Sequence, residues 1–238
     1  MSTSTIALVT GANKGIGKEI ARQLGVLGMT VLVAARDEGR VRDAARELTA
    51  DGIDARPLVL DVTDEESIAA AAKQVERDFG RLDVLVNNAG ILTDLAGAST
   101  EDFLRTYRTN VVGVVNVTNA MLPLLRRGSD ARVVNVSSEL GSVARLADPT
   151  SQQASIPFYA YNSSKAALNA VTAMFANAVR GEGIKVNAVC PGYCATDMND
   201  HQGVRTATQG ASVAVRFATL PSDGPTAEFH GEDGRLPW

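Results

Sequence analysis

A single-domain α/β fold, with a doubly wound parallel sheet covered by helices on both faces, is predicted by three features of the sequence. Short β-branched apolar runs recur from the start of the chain to about residue 190, longer amphipathic stretches separate them, and no Pro/Gly/Ser-rich linker divides the 238 residues. Runs that are apolar on both faces belong to strands buried on both sides, and their alternation with helices requires the crossover connections of a parallel sheet. Such sheets bind ligands beyond the carboxyl ends of their strands, where the chain reverses direction.

The elements follow in order. TIALVTG (5–11) reads as the first strand and GIGKEIARQLGVLG (15–28) as the first helix. TVLVAAR (30–36) with EGRVRDAARELTADG (38–52) forms the second pair, and ARPLVLDV (55–62) with DEESIAAAAKQVERDFG (64–80) the third. LDVLVNNAG (82–90) is the fourth strand, and about Ser99 to Arg127 one long helix. ARVVNVSS (131–138) is the fifth strand, about Tyr159 to Gly183 a further helix, and IKVNAVCPG (184–192) the sixth strand. Several helical segments end at Gly, a common terminator. The polar stretch 140–158, which holds Pro149 and Pro157, reads as a loop insertion at the mouth of a site. Residues 193–222 supply one clear further helix and read as a small substrate lid.

Composition narrows the partners. Hydrophobic residues make up 45% and charged ones 21%, and the net charge of −4 gives no electrostatic reason to seek nucleic acid or an anionic membrane. No apolar run approaches the roughly 20 residues that span a bilayer, and MSTSTIALVTGANKG lacks a basic segment and a cleavage pattern. Cys190 and Cys194 have neither cysteine-rich flanks nor a histidine pair, so no metal site is expected and a reducing, cytoplasmic location is.

TGANKGIG (10–17) joins the first strand to the first helix, with glycines spaced G-x-x-x-G-x-G. A tight turn, close backbone approach and a helix N-terminus suit a phosphate. A dinucleotide is therefore expected on Gly11, Asn13, Lys14, Gly15, Ile16 and Gly17. Arg36 and Arg40 after the second strand, with Lys14, offer three cations for a ribose 2′-phosphate, and the planar forks of Arg suit it. NADPH/NADP is the expected cofactor. Asp37 is the counterweight: directed at the ribose in place of Arg36, it would favour NADH.

Tyr161 stands four residues before Lys165, one turn away on a shared helix face. Tyr159 has Ser163 in that place and reads as lining the substrate entrance. With TGANKGIG, NNAG (87–90), Asn110, VNVSS (134–138), this Tyr/Lys pair and PGYCATDM (191–198), the chain resembles the short-chain dehydrogenase/reductase family over nearly its whole length. In motif detail it is most similar to the carbonyl reductases.

The resemblance implies a Rossmann-like fold and assigns roles by position. Ser138 is the serine that bonds the substrate carbonyl, in preference to Ser137, and Tyr161 is the proton donor. Lys165 binds the nicotinamide ribose and lowers the tyrosine pKa. Asn110 holds a water of the proton relay. Asp61 and Val62 flank the adenine, Asn88, Ala89 and Gly90 form the cofactor wall, and Pro191, Gly192 and Thr196 the nicotinamide side. The expected activity is NADPH-dependent reduction of a small ketone, aldehyde or quinone. A 3-oxoacyl thioester reductase and a catalytically silent dinucleotide-binding regulator are the alternatives. Twenty-two residues separate Ser138 from Tyr161, more than in most such proteins but fewer than in the monomeric carbonyl reductases, which leaves a homodimer or homotetramer open.

Overall fold

The computed structural model describes residues 4–93 and 98–238. Strands β1 (Ile6–Thr10), β2 (Thr30–Ala35), β3 (Ala55–Val59), β4 (Val84–Asn87), β5 (Arg132–Val136), β6 (Lys185–Val189) and β7 (Phe229–His230) form one sheet in the order β3-β2-β1-β4-β5-β6-β7. Every pairing is parallel. The order reverses between β1 and β4, so the crevice expected of a doubly wound sheet opens beyond the ends of these two strands.

Alternation along each strand builds two cores. Ile6 and Leu8 of β1 and Leu32 and Ala34 of β2 pack on one face, with α3 (Glu65–Phe79), α5 (Gly113–Leu125) and α7 (Tyr159–Ala178). Ala7, Val9, Val31 and Val33 pack on the other, with α1 (Gly15–Val26), α2 (Glu38–Ala50) and α8 (Ala207–Ala218). Among the described residues no helix is long and apolar enough to cross a membrane.

The structure departs from the sequence reading at four places. First, β3 is an edge strand, and Arg56, Pro57 and Val59 are exposed. Leu60 N–H donates to Ala35 O at 3.0 Å, so alternation puts the nitrogen of Pro57 on the open edge, where its missing hydrogen costs no ladder bond. Second, the segment 99–127 is broken: α4 (Thr100–Tyr107) passes through a π turn over Arg108–Val112 before α5. Third, the insertion 140–158 is structured, with α6 (Val143–Ala147) and a 3₁₀ turn at Gln152–Ser155. The cause is side-chain capping: Ser142 accepts from Arg145 N and Ser151 from Gln153 N, both at 3.3 Å. The Glu139 carboxylate then ties the insertion back, pairing with Arg145 and accepting from Gln153 Nε2 at 2.9 Å. Fourth, β7 adds a seventh strand from a run too short to show periodicity.

The tail closes on the insertion. Trp238 stacks on Phe229 with ring centroids 5.8 Å apart, and its main-chain oxygen accepts from Ala144 N at 3.0 Å and Ser142 Oγ at 3.3 Å. The expected lid 193–222 divides: Thr196, Asp197 and Met198 border the crevice, whereas α8 packs into the core beside α1.

Candidate active site and cofactor groove

The turn after β1 is shaped for close approach. Gly11 has φ +65°, and a Cβ there would lie 3.0 Å from Ala89 Cα, so the backbone of 88–90 sits directly on it. Thr10 Oγ1 locks the contact, accepting from Asn88 N and Ala89 N, each at 3.0 Å, while Asn88 Nδ2 donates to Thr10 O at 2.9 Å. Asp37, Asp64, Ser99 and Thr206 cap α2, α3, α4 and α8 through their side chains. Lys14, the N-cap of α1, makes no such bond and no acidic residue follows in the first turn. The N–H groups that open α1 therefore remain for an anion.

From this turn a groove of about 500 Å³ crosses the reversal point. It brings together Gly11, Asn13, Lys14, Gly15, Ile16 and Gly17 from the turn and Arg36 from the end of β2. Asp61 and Val62 follow β3, Asn88, Ala89 and Gly90 follow β4, and Thr196 comes from beyond β6. Arg40, Pro191 and Gly192 lie outside this lining. Arg40 is exposed in the first turn of α2, and its N–H donates at 2.9 Å to Asp37 Oδ1. Of the three expected cations, Lys14 and Arg36 line the groove, and the Asp37 carboxylate is engaged as a helix cap. Sequence reasoning missed Arg105, Arg108 and Asp197, which also line the groove. Arg108 is fixed there by a 2.9 Å bond from Nη2 to Thr63 O. The only signal for the two arginines was their three-residue spacing, which puts them on one helix face.

Beyond β5 the polar side chains converge. The Tyr161 hydroxyl hydrogen-bonds the side chain of Ser138, and Lys165 Nζ stands 5.6 Å from the Tyr161 ring centroid. Lys165 is buried and donates to Val136 O at 2.8 Å. A Cβ on Gly90 would lie 3.3 Å from Asn110 Oδ1 and 3.6 Å from Lys165 Nζ, so these three residues meet at the inner end of the groove. Asn110 sits in the π turn, accepts from Ile91 N at 2.9 Å, and donates to Ile91 O at 3.0 Å and Ser164 Oγ at 3.1 Å. Ser137 is occupied elsewhere: buried, it bonds Asn169 Oδ1 at 2.6 Å. Tyr159 is 63% exposed and lacks the lysine partner.

The electrostatics correct one expectation. Burial pushes the Tyr161 phenol up, with the bond to Ser138 acting the other way, so lowering by Lys165 is not the dominant influence. Burial likewise presses Lys165 down to about 8. Burial thus favours the neutral form of each group. Cys190 lies beside both. Its thiol is pushed up to about 11 by burial and accepts from Glu139 N at 3.3 Å and Gly192 N at 3.4 Å.

The family profile described as short chain dehydrogenase matches residues 5–206. The chain belongs to the short-chain dehydrogenase family. This short-chain dehydrogenase is 39% identical over 240 residues to the short-chain dehydrogenase anuI of Penicillium roqueforti, covering 97% of the chain and 93% of the relative. It is 34% identical over 269 residues to mouse carbonyl reductase [NADPH] 3, covering 97% and 96%. An NADPH-bound carbonyl reductase from chicken fatty liver superposes with a TM-score of 0.87 at 27% identity, with both chains fully covered. The resemblance to carbonyl reductases read from the motifs is thus borne out, and the chain is an oxidoreductase of the carbonyl/alcohol type.

Proposed function

We propose that this short-chain dehydrogenase reduces the carbonyl of a ketone, aldehyde or quinone with NADPH, and that Tyr161 is the proton donor. The hydrogen bond between Tyr161 and Ser138 beside the buried Lys165 carries the reading. NADPH suits the groove because its turn presents free N–H groups and Lys14, Arg36 is at the ribose end, and Asp37 is held by its own helix. NADPH is also named for the mouse and chicken proteins.

When bound, the cofactor supplies the hydride and, once oxidised, a positive charge. The protein does the rest. Ser138 Oγ and the Tyr161 hydroxyl together bind the substrate oxygen, so the carbonyl is held by two donors. As negative charge develops on that oxygen, Tyr161 transfers its proton to it. Lys165, with its ammonium near the phenol, stabilises the resulting phenolate and holds the ribose. Asn110, fixed to Ile91, aligns the polar path behind Lys165.

The test is NADPH oxidation, followed by absorbance, against quinones, aromatic aldehydes and diketones. Tyr161→Phe should lower kcat/KM by about 10²–10⁴ while the Kd for NADPH holds. Undiminished turnover in the variant would overturn the role of Tyr161. A lower kcat/KM with NADPH than with NADH would overturn the cofactor reading.

A further inference from the structure

The groove is bridged by an ion pair that its cofactor chemistry does not require. Lys14 Nζ lies 2.5 Å from Asp197 Oδ2. One partner stands on the glycine turn and the other on the 3₁₀ turn Asp197–Asn199, and both line the groove. The two turns also touch beside the pair: a Cβ on Gly15 would lie 3.7 Å from Thr196 Cγ2. Asp197 Oδ1 is in turn 3.1 Å from His201 Nε2.

The consequence for a phosphate is direct. Lys14 lines the groove with Arg36, Arg105 and Arg108, and of these it and Arg36 are the two expected at a ribose 2′-phosphate. The Lys14 charge is already matched by the Asp197 carboxylate. A 2′-phosphate must either draw the ammonium away from Asp197 or share it with a second anion. NADH, which has a hydroxyl at that position, makes no such demand. Both side chains are more than half exposed, 57% and 55%, so water and salt screen the pair and its effect is modest.

The geometry points to Asp197 as a specificity-determining residue that acts against the 2′-phosphate by holding Lys14. On this reading Asp197 tempers the NADPH preference that Lys14 and Arg36 create. The inference rests on the proposed dinucleotide site.

The experiment is a titration of the full-length protein with NADPH and with NADH, read by cofactor fluorescence, for wild type and Asp197→Asn. The Kd for NADPH should fall by about two- to fivefold, the size of one partly exposed ion pair, and the Kd for NADH should change less. An unchanged ratio of the two Kd values, or one displaced toward NADH, would overturn the inference. Asp197→Ala should reproduce the displacement, which guards against a new bond made by the Asn amide. In a Lys14→Met background the effect of Asp197→Asn should disappear, and an undiminished effect would also count against it. If wild type prefers NADH, the NADPH reading fails, whereas the response of the ratio to Asp197→Asn still decides this one.

Discussion

At the scale of single residues, one hydrogen bond and one difference in exposure set Tyr161 and Ser138 apart from Tyr159 and Ser137. Tyr161 is hydrogen-bonded to Ser138, whereas Tyr159 is exposed and Ser137 is bonded to Asn169. In the sequence, spacing separated the two tyrosines, because Tyr and Lys four apart share a helix face, and the family resemblance chose between the serines. What spacing could not carry is solvation, and burial sets the direction in which both groups titrate. Lys165 is pressed down to about 8 from its ordinary 10.5, so from about pH 8 to 10 the unfolded chain binds more protons at this residue than the folded chain. Stability contributed by Lys165 therefore rises with pH across that window and is lost as pH falls through about 8. Tyr161, pushed up by burial, opposes this only above about 10, where an unfolded phenol ionises. The melting temperature of the ligand-free protein minus that of Lys165→Met should increase from pH 8 to pH 10. A difference that does not change with pH would show that Lys165 is not held in its neutral-favouring setting.

At the scale of elements, the glycine turn, the six principal strands and the helix bearing Tyr161 were legible because each has a period or a glycine pattern of its own. The π turn at Arg108–Val112 was not. One extra residue in a helix leaves the apolar pattern on either side intact, and its position is set by a tertiary contact, here Asn110 on Ile91. Deleting Val112 should restore the α register. Because α5 is anchored in the core by Val117, Met121 and Leu125, α4 would rotate and carry Asn110 off Ile91. Carbonyl reduction should then fall by about 10²-fold, with the far-ultraviolet circular dichroism retained. Wild-type turnover in the deletion variant would mean that the placement of Asn110 is dispensable. The conformation of the insertion was not legible for a related reason: its order comes from Ser142, Ser151 and Glu139 acting on partners that the linear pattern does not reveal.

At the scale of the whole molecule, the parallel sheet and its reversal point could be read, but the way the chain closes on itself could not. A two-residue strand and one tryptophan have no periodicity. Yet Trp238 joins β7 to the insertion that follows Ser138. Trp238→Ala should lower stability by about 2 kcal/mol through lost ring packing, measured as a denaturant midpoint, and should lower kcat/KM for the carbonyl substrate more than it changes cofactor affinity. Equal losses in both would place the effect in general loosening of the fold. The two margins of the sheet have a consequence for the life of the protein in a crowded solution. At β3 the outward nitrogen of Pro57 has no hydrogen to offer and Arg56 adds charge, while β7 presents only two residues. A foreign strand has little to add itself to at either margin, so growth into fibrils by strand addition is discouraged from both ends.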